Sequence, residues 1–288
     1  MLNNLARKVK LVEVGPRDGL QAIRHKILLP QTKAIYISKI IDSGIKNIEV
    51  GSFVSDRVVQ MRNTPYVLNL ITKRNDIRKI VLIPDIHFAK EAIMNNVNEF
   101  AVFTSVSNLF CIKNNNCNKE ENLQKIKEIL DFSKKNYIPV RGYISCVFGC
   151  QLEGYRSNYV QMTASLAKTL FDFGCYEISL ADTIGVATPQ MIENTLNEVT
   201  KFVPINNLAI HLHDPHGKAP ENLICALNFG INVVDCATGG IGGCPIMKDP
   251  GMNISTEKVI NILNRMNIVH DYDIKKIIDA AKFIKEEL

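Results

Sequence analysis

Glycine residues that end helices and lead straight into short apolar segments recur along this chain, and they constrain its fold more than any other feature. Gly44, Gly174 and Gly230 each follow an amphipathic stretch. Glycine ends helices at low cost because it adopts left-handed backbone angles without a Cβ clash. The recurrence therefore predicts a chain in which helices and strands alternate.

Short apolar segments supply eight strand candidates. They are residues 10–14, 45–50, 79–83, 99–104, 139–147, 176–180, 208–212 and 231–236. Strands that alternate with helices pair in parallel through right-handed crossovers. Eight such units in 288 residues favour an α/β fold of the (β/α)8 TIM-barrel type over the alternative, a doubly wound open sheet.

Helical periodicity fills the intervals between the strand candidates, most clearly in 31–41, 119–135 and 157–171. Thr188 followed by Pro189 is typical of a helix start. A C-terminal helical extension is predicted within 271–288, and its apolar face is expected to carry Ile274, Ile277, Ile278 and Ala281. We expect one catalytic domain over 1–288, with the barrel at about 10–240 and a cysteine loop and C-terminal helices at about 239–288.

The composition of the chain argues against several classes of partner. The net charge of +5 is spread out, without a basic run interleaved with aromatic residues, which argues against nucleic acid and suits an anionic small substrate. No segment resembles a membrane span or a secretory signal. The eight cysteines fit neither a zinc cluster nor a disulfide framework, so we expect buried free thiols and a cytoplasmic protein.

Polar residues able to do chemistry gather where the predicted strands end. They are Arg17 and Asp18 after the first strand, Glu49 in the second, Asp182 after the sixth, His211 and His213 around the end of the seventh, and Cys244 after the eighth. Barrel enzymes place their active sites at the carboxyl ends of the strands, so these residues predict a single site there.

His211 and His213 lie two residues apart on a predicted strand, so both imidazoles point to the same side of it. A lone histidine there is more often a satisfied core residue, but two in this alternation favour a metal site. Asp18 is the best placed carboxylate to balance the charge of the cation, whereas Asp214 points to the opposite face. Nitrogen and oxygen donors suit Mg²⁺ or Mn²⁺ and leave Zn²⁺ open.

Arg17 and Cys244 each have two interpretations. Arg17 either ties strand ends together through salt bridges or holds a permanent positive charge over a developing oxyanion. Cys244 follows four glycines within residues 239–243. That stretch is either a tight turn beside an inert thiol, or a loop over the barrel mouth that brings a reactive thiol to the substrate.

Five ordered motifs resemble the 3-hydroxy-3-methylglutaryl-CoA lyase family of metal-dependent barrel lyases. The resemblance runs from about Val12 to Asn253. The motifs are VGPRDGLQ at 14–21, SFVS at 52–55, SCVFGC at 145–150, DTIGV at 182–186 and GIGGCP at 240–245. The last motif separates these lyases from the related isopropylmalate and homocitrate synthases and from the hydroxy-oxo-acid aldolases.

The resemblance implies a divalent-metal-dependent retro-Claisen cleavage of an acyl-CoA, 3-hydroxy-3-methylglutaryl-CoA, to acetyl-CoA and acetoacetate by a homodimer. It implies that Mg²⁺ or Mn²⁺ is bound by Asp18, His211, His213 and Asn253, and that Glu49 supports this site. It also implies that Arg17 stabilises the enolate oxygen and that Cys244 and His211 carry protons with the assistance of Asp182. Arg24 is implied to contact the phosphates of CoA.

The chain departs from the family's usual pattern around the substrate, at residues 22–24, 151, 215–218 and 246–252. Arg24, for example, keeps a cation but stands in Ala-Ile-Arg where Asn-Glu-Lys is common. No proposed ligand is lost, so we expect the chemistry to be kept and leave the acyl group open. The alternatives are a sister lyase for another 3-hydroxy-3-alkylglutaryl-CoA and, more remotely, a non-catalytic acyl-CoA-binding barrel.

Overall fold

The computed structural model describes residues 8–71, 77–95, 97–243 and 252–288. The strands are β1 Lys10–Glu13, β2 Asn47–Ser52, β3 Arg78–Leu82, β4 Glu99–Ser105, β5 Val140–Ser145, β6 Glu177–Asp182, β7 Leu208–Leu212 and β8 Val233–Cys236. All pair in parallel with their sequence neighbours, and β8 pairs with β1 to close a barrel. The predicted TIM barrel is confirmed, and the doubly wound alternative is wrong.

Ten α-helices are described, most of them packed around the barrel. They are α1 Pro30–Asp42, α2 Thr64–Leu70, α3 Ile86–Met94, α4 Asn108–Asn115, α5 Lys119–Lys135, α6 Tyr159–Phe173, α7 Pro189–Val199, α8 Ala219–Phe229, α9 Thr256–Arg265 and α10 Ile274–Glu287. The helix predicted at Thr188 begins there, because the Thr188 side chain caps α7 by accepting the backbone N–H of Met191. Helices α9 and α10 form the predicted C-terminal extension.

Glycine does end the helices that precede three of the strands. Gly44, Gly174 and Gly230 follow α1, α6 and α8 with φ of 95°, 109° and 120°. Strand β5 is shorter than the predicted 139–147, because Cys146 adopts a φ of 60° that ends the extended backbone. Local backbone chemistry thus places the ends of several elements.

The apolar face predicted for the last helix is partly wrong. Helix α10 buries Ile277, Ala280, Ala281 and Ile284, whereas Ile278 is 53% exposed. Each residue turns an α-helix by about 100°. Ile278 is therefore carried off the face that its neighbour Ile277 buries.

Two further features concern the cysteines and the helices. The seven cysteines of the described ranges are all free thiols, and six of them are buried. Cys244 lies outside the described residues. Among the helices listed above, none combines the length and apolarity needed to cross a membrane.

Candidate active site

The chain leaves β1 through a tight helical turn, Gly15–Gly19, which presents Arg17 and Asp18 at the barrel mouth. The Gly15 N–H donates to Glu13 Oε1 at 3.0 Å. A Cβ on Gly15 would lie 2.5 Å from both Glu13 Oε1 and the Tyr36 hydroxyl, so glycine is required for this close approach. The turn therefore depends on glycine to place the two polar side chains that follow it.

Arg17 is buried between two carboxylates. Its Nε lies 2.7 Å from Glu49 Oε2, and its Nη1 lies 2.8 Å from Asp18 Oδ1. The Tyr143 hydroxyl donates to the same Glu49 oxygen at 3.3 Å. Burial opposes the charge on Arg17, but Glu49 and Asp18 raise its pKa above the ordinary value. The salt bridges of the first interpretation are present, and they hold a permanent cation beside Asp18.

Three side chains converge at the carboxyl end of the barrel: Asp18, His211 and His213. One ligand atom of each lies within 4.8 Å of those of the others. The two histidine Nε2 atoms are 3.1 Å apart, and His213 Nε2 is 4.0 Å from Asp18 Oδ2. Two buried imidazole nitrogens that face each other beside a carboxylate form a donor set that fits a divalent cation.

The protonation states of this cluster also suit a cation. Burial raises the pKa of Asp18, but Arg17 and His211 outweigh it and hold that pKa below its usual range. Burial lowers the pKa of His213 to about 4, and His211 acts in the same direction. At neutral pH Asp18 is therefore ionised and His213 neutral, as metal ligation requires.

Asn253 lies against the cluster. Its Nδ2 donates to Asp18 Oδ2 at 3.0 Å and to the Ile241 carbonyl at 3.1 Å. A β-bridge joins the backbone of Asn253 to His213 and fixes its position. With the amide nitrogen used in this way, the amide oxygen is the atom of Asn253 that could meet a cation.

Asp182 and Asp214 hold loops with their carboxylates. The two oxygens of Asp182 accept the backbone N–H groups of Val186 at 3.1 Å and Ala187 at 2.9 Å. Burial raises the pKa of Asp182 to about 6, although the hydrogen bonds from these N–H groups act to lower it. Asp214 binds Lys258 Nζ at 2.6 Å and lies outside the Asp18–His211–His213 cluster, in keeping with its predicted orientation. Assistance to proton transfer by Asp182 stays a prediction.

Two predicted functional residues are not part of the described cluster. Cys244 lies outside the described residues, so its chemistry stays a prediction. Arg24 is exposed, in the segment between the Gly15–Gly19 turn and α1. Its contact with CoA also stays a prediction.

Sequence reasoning missed a charged layer beneath the histidines. Arg141 of β5, fully buried, binds Asp235 of β8 through Nη2 at 2.6 Å and Glu177 of β6 through Nε at 2.6 Å. Asp235 Oδ2 lies 3.3 Å from His211 Nδ1. Burial raises the pKa of Asp235, but Arg141 and His211 outweigh burial and lower this pKa to about 2, below its ordinary value. A signal was present, because Asp235 stands inside an apolar strand and a charge there needs a partner.

The fold and the site together define a class, the barrel enzymes with a candidate divalent-metal site at the carboxyl ends of their strands. The model of the HMGL-like family matches residues 8–284, and the chain belongs to this family. Together with the lyases to which it is similar, membership makes the chain a carbon–carbon lyase. The family is divalent-metal dependent, and the Asp18–His211–His213 cluster is a candidate site for such a metal.

The chain is similar to several proteins named as hydroxymethylglutaryl-CoA lyases. The chain is 41% identical over 285 residues to the cytoplasmic 3-hydroxy-3-methylglutaryl-CoA lyase of Rattus norvegicus, covering 98% of this chain and 82% of the relative. It is 39% identical to the mitochondrial hydroxymethylglutaryl-CoA lyase of Gallus gallus, covering 96% and 93%. The crystal structure of hydroxymethylglutaryl-CoA lyase from Pseudomonas aeruginosa superposes with a TM-score of 0.94 at 36% identity, covering 99% and 94%.

Proposed function

We propose that this chain cleaves 3-hydroxy-3-methylglutaryl-CoA to acetyl-CoA and acetoacetate by a retro-Claisen reaction. The convergence of Asp18, His211 and His213 beside Arg17 carries the proposal, in a chain 41% identical to a lyase named for that substrate. The substrate has a carboxylate and a tertiary hydroxyl at one end and a thioester at the other. Cleavage needs the first end held by oxygen-binding groups and the second end stabilised as an enolate.

Asp18, His211 and His213 would hold Mg²⁺ or Mn²⁺, and the amide oxygen of Asn253 would complete the protein's ligands. When bound, the cation supplies a Lewis acid and a template for the hydroxy-acid end of the substrate. The ionised Asp18 and the neutral, buried His213 support this assignment. Glu49 does not join the ligands but supports the site by accepting a hydrogen bond from Arg17.

Arg17 would stabilise the negative charge that develops on the thioester oxygen as the carbon–carbon bond breaks. The two carboxylates around it hold its guanidinium in place before the substrate arrives. A preorganised charge needs no reorientation at the moment of reaction, and such groups usually make the largest contribution to acceleration.

The reaction removes a proton from the tertiary hydroxyl and delivers one to the departing carbon, so an acid and a base are both required. His211 faces His213 through Nε2 and Asp235 through Nδ1. Both of its ring nitrogens are thus directed at neighbours, which favours its role as a ligand over its predicted role as a proton carrier. We therefore place proton delivery to carbon on the Cys244 thiol and acceptance of the hydroxyl proton on the Asp182 carboxylate, whose pKa burial raises to about 6.

We also infer that the enzyme is a cytoplasmic homodimer whose Arg24 meets CoA phosphates. The free thiols of the described cysteines support a reducing compartment, although relatives are named for both the cytoplasm and the mitochondrion. Cell fractionation tests the compartment, and light scattering of the purified chain tests the assembly. A mitochondrial fraction or a monomer would contradict the respective inference.

The proposed activity is tested by acetoacetate release from the methyl substrate, with EDTA-treated protein and added Mg²⁺ or Mn²⁺. Turnover should require the cation and should be lost in His213→Ala. The 3-ethyl analogue tests the sister lyase, because the loop at 215–218 departs from the family's pattern beside the site. No turnover of the methyl compound with either cation would overturn the proposal, and faster cleavage of the ethyl compound would favour the sister lyase.

A further inference from the structure

We propose that Asp235 is a positioning residue that holds His211 with its proton on Nδ1, so that Nε2 presents a lone pair to the cation. The inference rests on the metal site of the proposed function. It concerns the orientation of a ligand and leaves the chemistry of cleavage unchanged.

The contacts of His211 point to this tautomer. Its Nδ1 is buried and has no hydrogen bond of good geometry within the described ranges; the acceptor that faces it is Asp235 Oδ2, 3.3 Å away. A carboxylate can only accept, so the buried nitrogen is satisfied there only when it carries the proton. The other nitrogen, Nε2, lies 3.1 Å from His213 Nε2, and two protons could not share that gap.

Asp235 is itself held rigidly from two sides. Arg141 binds it through Nη2 at 2.6 Å and through Nη1 at 3.2 Å, one nitrogen to each carboxylate oxygen. The Ser179 hydroxyl donates to Oδ2 at 2.7 Å, the oxygen that faces His211. Arg141 is in turn bound by Glu177. Residues of β5, β6 and β8 thus brace a side chain of β7, and none of these contacts requires a bound cation.

A carboxylate behind a ligating histidine orients the ring and makes its free nitrogen more basic. Removing such a partner commonly weakens metal binding by about 10- to 100-fold. Asp235 is 1% exposed and Arg141 is fully buried, so bulk water has no direct access to the carboxylate that faces His211. The consequence for this chain is a metal affinity that depends on a residue that no cation would touch.

The test is a Mn²⁺ titration of the EDTA-treated full chain without substrate, with free Mn²⁺ followed by electron paramagnetic resonance. Asp235→Asn should weaken binding by about 10- to 100-fold. The matched control is Glu177→Gln, which also removes a carboxylate from Arg141 but leaves Asp235 behind His211. It should change the affinity by less than about threefold. Circular dichroism and thermal melting establish that both variants are folded.

A second measurement does not depend on either variant. Nitrogen-15 spectra of the histidine-labelled, metal-free wild type report the tautomer of His211, assigned by the loss of its signals in His211→Gln. The expected result is a protonated Nδ1. A protonated Nε2, an unchanged Mn²⁺ affinity in folded Asp235→Asn, or an equal loss in Glu177→Gln would each overturn the inference. If the wild type binds no Mn²⁺, the metal assignment fails as well, so the two failures are distinguishable.

Discussion

Two nitrogens of Arg17, Nε and Nη2, bind a single oxygen of Glu49, each at 2.7 Å. The other carboxylate oxygen, Oε1, is buried without a hydrogen-bond partner in the described part of the chain. Glu49 has no exposed surface, and burial raises its pKa while Arg17 opposes the rise. Breaking a buried pair by removing one partner typically costs about 3–5 kcal/mol. Arg17 therefore has a structural role beside its proposed catalytic one.

The two roles of Arg17 can be separated by removing its partner as well. Arg17→Gln should lower kcat by roughly 10²–10³, the usual effect of losing one oxyanion-stabilising group, and should also lower the melting temperature. The double variant Arg17→Gln/Glu49→Gln should recover the part of the stability lost at Glu49, because that carboxylate is no longer buried without its cation, while kcat stays low. Calorimetry and acetoacetate release measure the two effects. Wild-type kcat in either variant would contradict the proposed role.

Cation binding should stabilise the folded chain independently of catalysis. A ligand at about 100 times its Kd adds about 2.7 kcal/mol to the free energy of unfolding, so Mn²⁺ should raise the melting temperature of EDTA-treated protein. Asp18→Asn and His213→Ala should abolish this rise. Asp214→Asn is the matched control, because Asp214 adjoins His213 but binds Lys258 instead of joining the cluster. A rise that persists in His213→Ala would place the cation elsewhere.

Arg24 should act on substrate binding and not on the chemical step. Arg24→Ala should raise KM several-fold with little change in kcat, because a contact to CoA phosphates is equally strong in the ground and transition states. The salt dependence of KM should also weaken, since an exposed charge pair is screened by ions. Steady-state kinetics at two ionic strengths measures both effects, with Lys90→Ala, an exposed cation on α3, as control. An unchanged KM would remove Arg24 from the CoA site.

Much of the fold followed from short-range backbone chemistry. The positive φ of Gly44, Gly174 and Gly230 is a local requirement that a sequence displays directly. The shared side of His211 and His213 follows from the two-residue period of a strand in the same way. Those features could be predicted because each depends on a few consecutive residues.

The charged layer under the site could not be located in this way. Arg141 meets Asp235 across the barrel, 94 residues further along the chain. That pairing depends on barrel closure and register, which no local pattern contains. The sequence shows only that each charge needs a partner, because both stand among apolar neighbours. For a similar reason, the end of β5 at Cys146 was missed, since a cysteine seldom adopts a positive φ.

Glu13 should make stability depend on pH. It accepts hydrogen bonds from Gly15, Thr238 and Thr256, yet burial outweighs these donors and raises its pKa from 4.5 to about 7. A carboxyl whose folded pKa is raised contributes stability below its unfolded pKa, and this contribution is lost as the pH rises through the folded pKa. The loss amounts to about 3 kcal/mol.

The Glu13 effect is isolated by comparison with Glu13→Gln, which cannot titrate. Urea unfolding at several pH values gives the difference in free energy of unfolding between wild type and variant. That difference should move against the wild type by about 3 kcal/mol between about pH 4.5 and about pH 8. A difference that does not vary with pH would mean that the hydrogen bonds, and not burial, control the ionisation of Glu13.

Gly242 should be required for the site because a side chain there would clash with its neighbours, in addition to its unusual backbone angles. Its φ is 109°, and a Cβ there would lie 2.6 Å from Gly19 Cα and 2.7 Å from Asn253 Nδ2. Gly19 directly follows the ligand Asp18, so Gly242→Ala must displace either the β1 turn or Asn253. We expect a loss of acetoacetate release and of the Mn²⁺-induced rise in melting temperature.

Gly174 provides the control for Gly242, because it has the same φ of 109° and nothing within 4 Å of an added Cβ. Gly174→Ala and Gly242→Ala both introduce a side chain at a left-handed position, which costs about 1–3 kcal/mol. Only Gly242→Ala adds the clash at the metal ligands. If both variants lose stability equally and both keep Mn²⁺ binding, the glycines before Cys244 serve only the turn. If Gly242→Ala alone loses the cation, the loop is packed against the ligands and shapes the site directly.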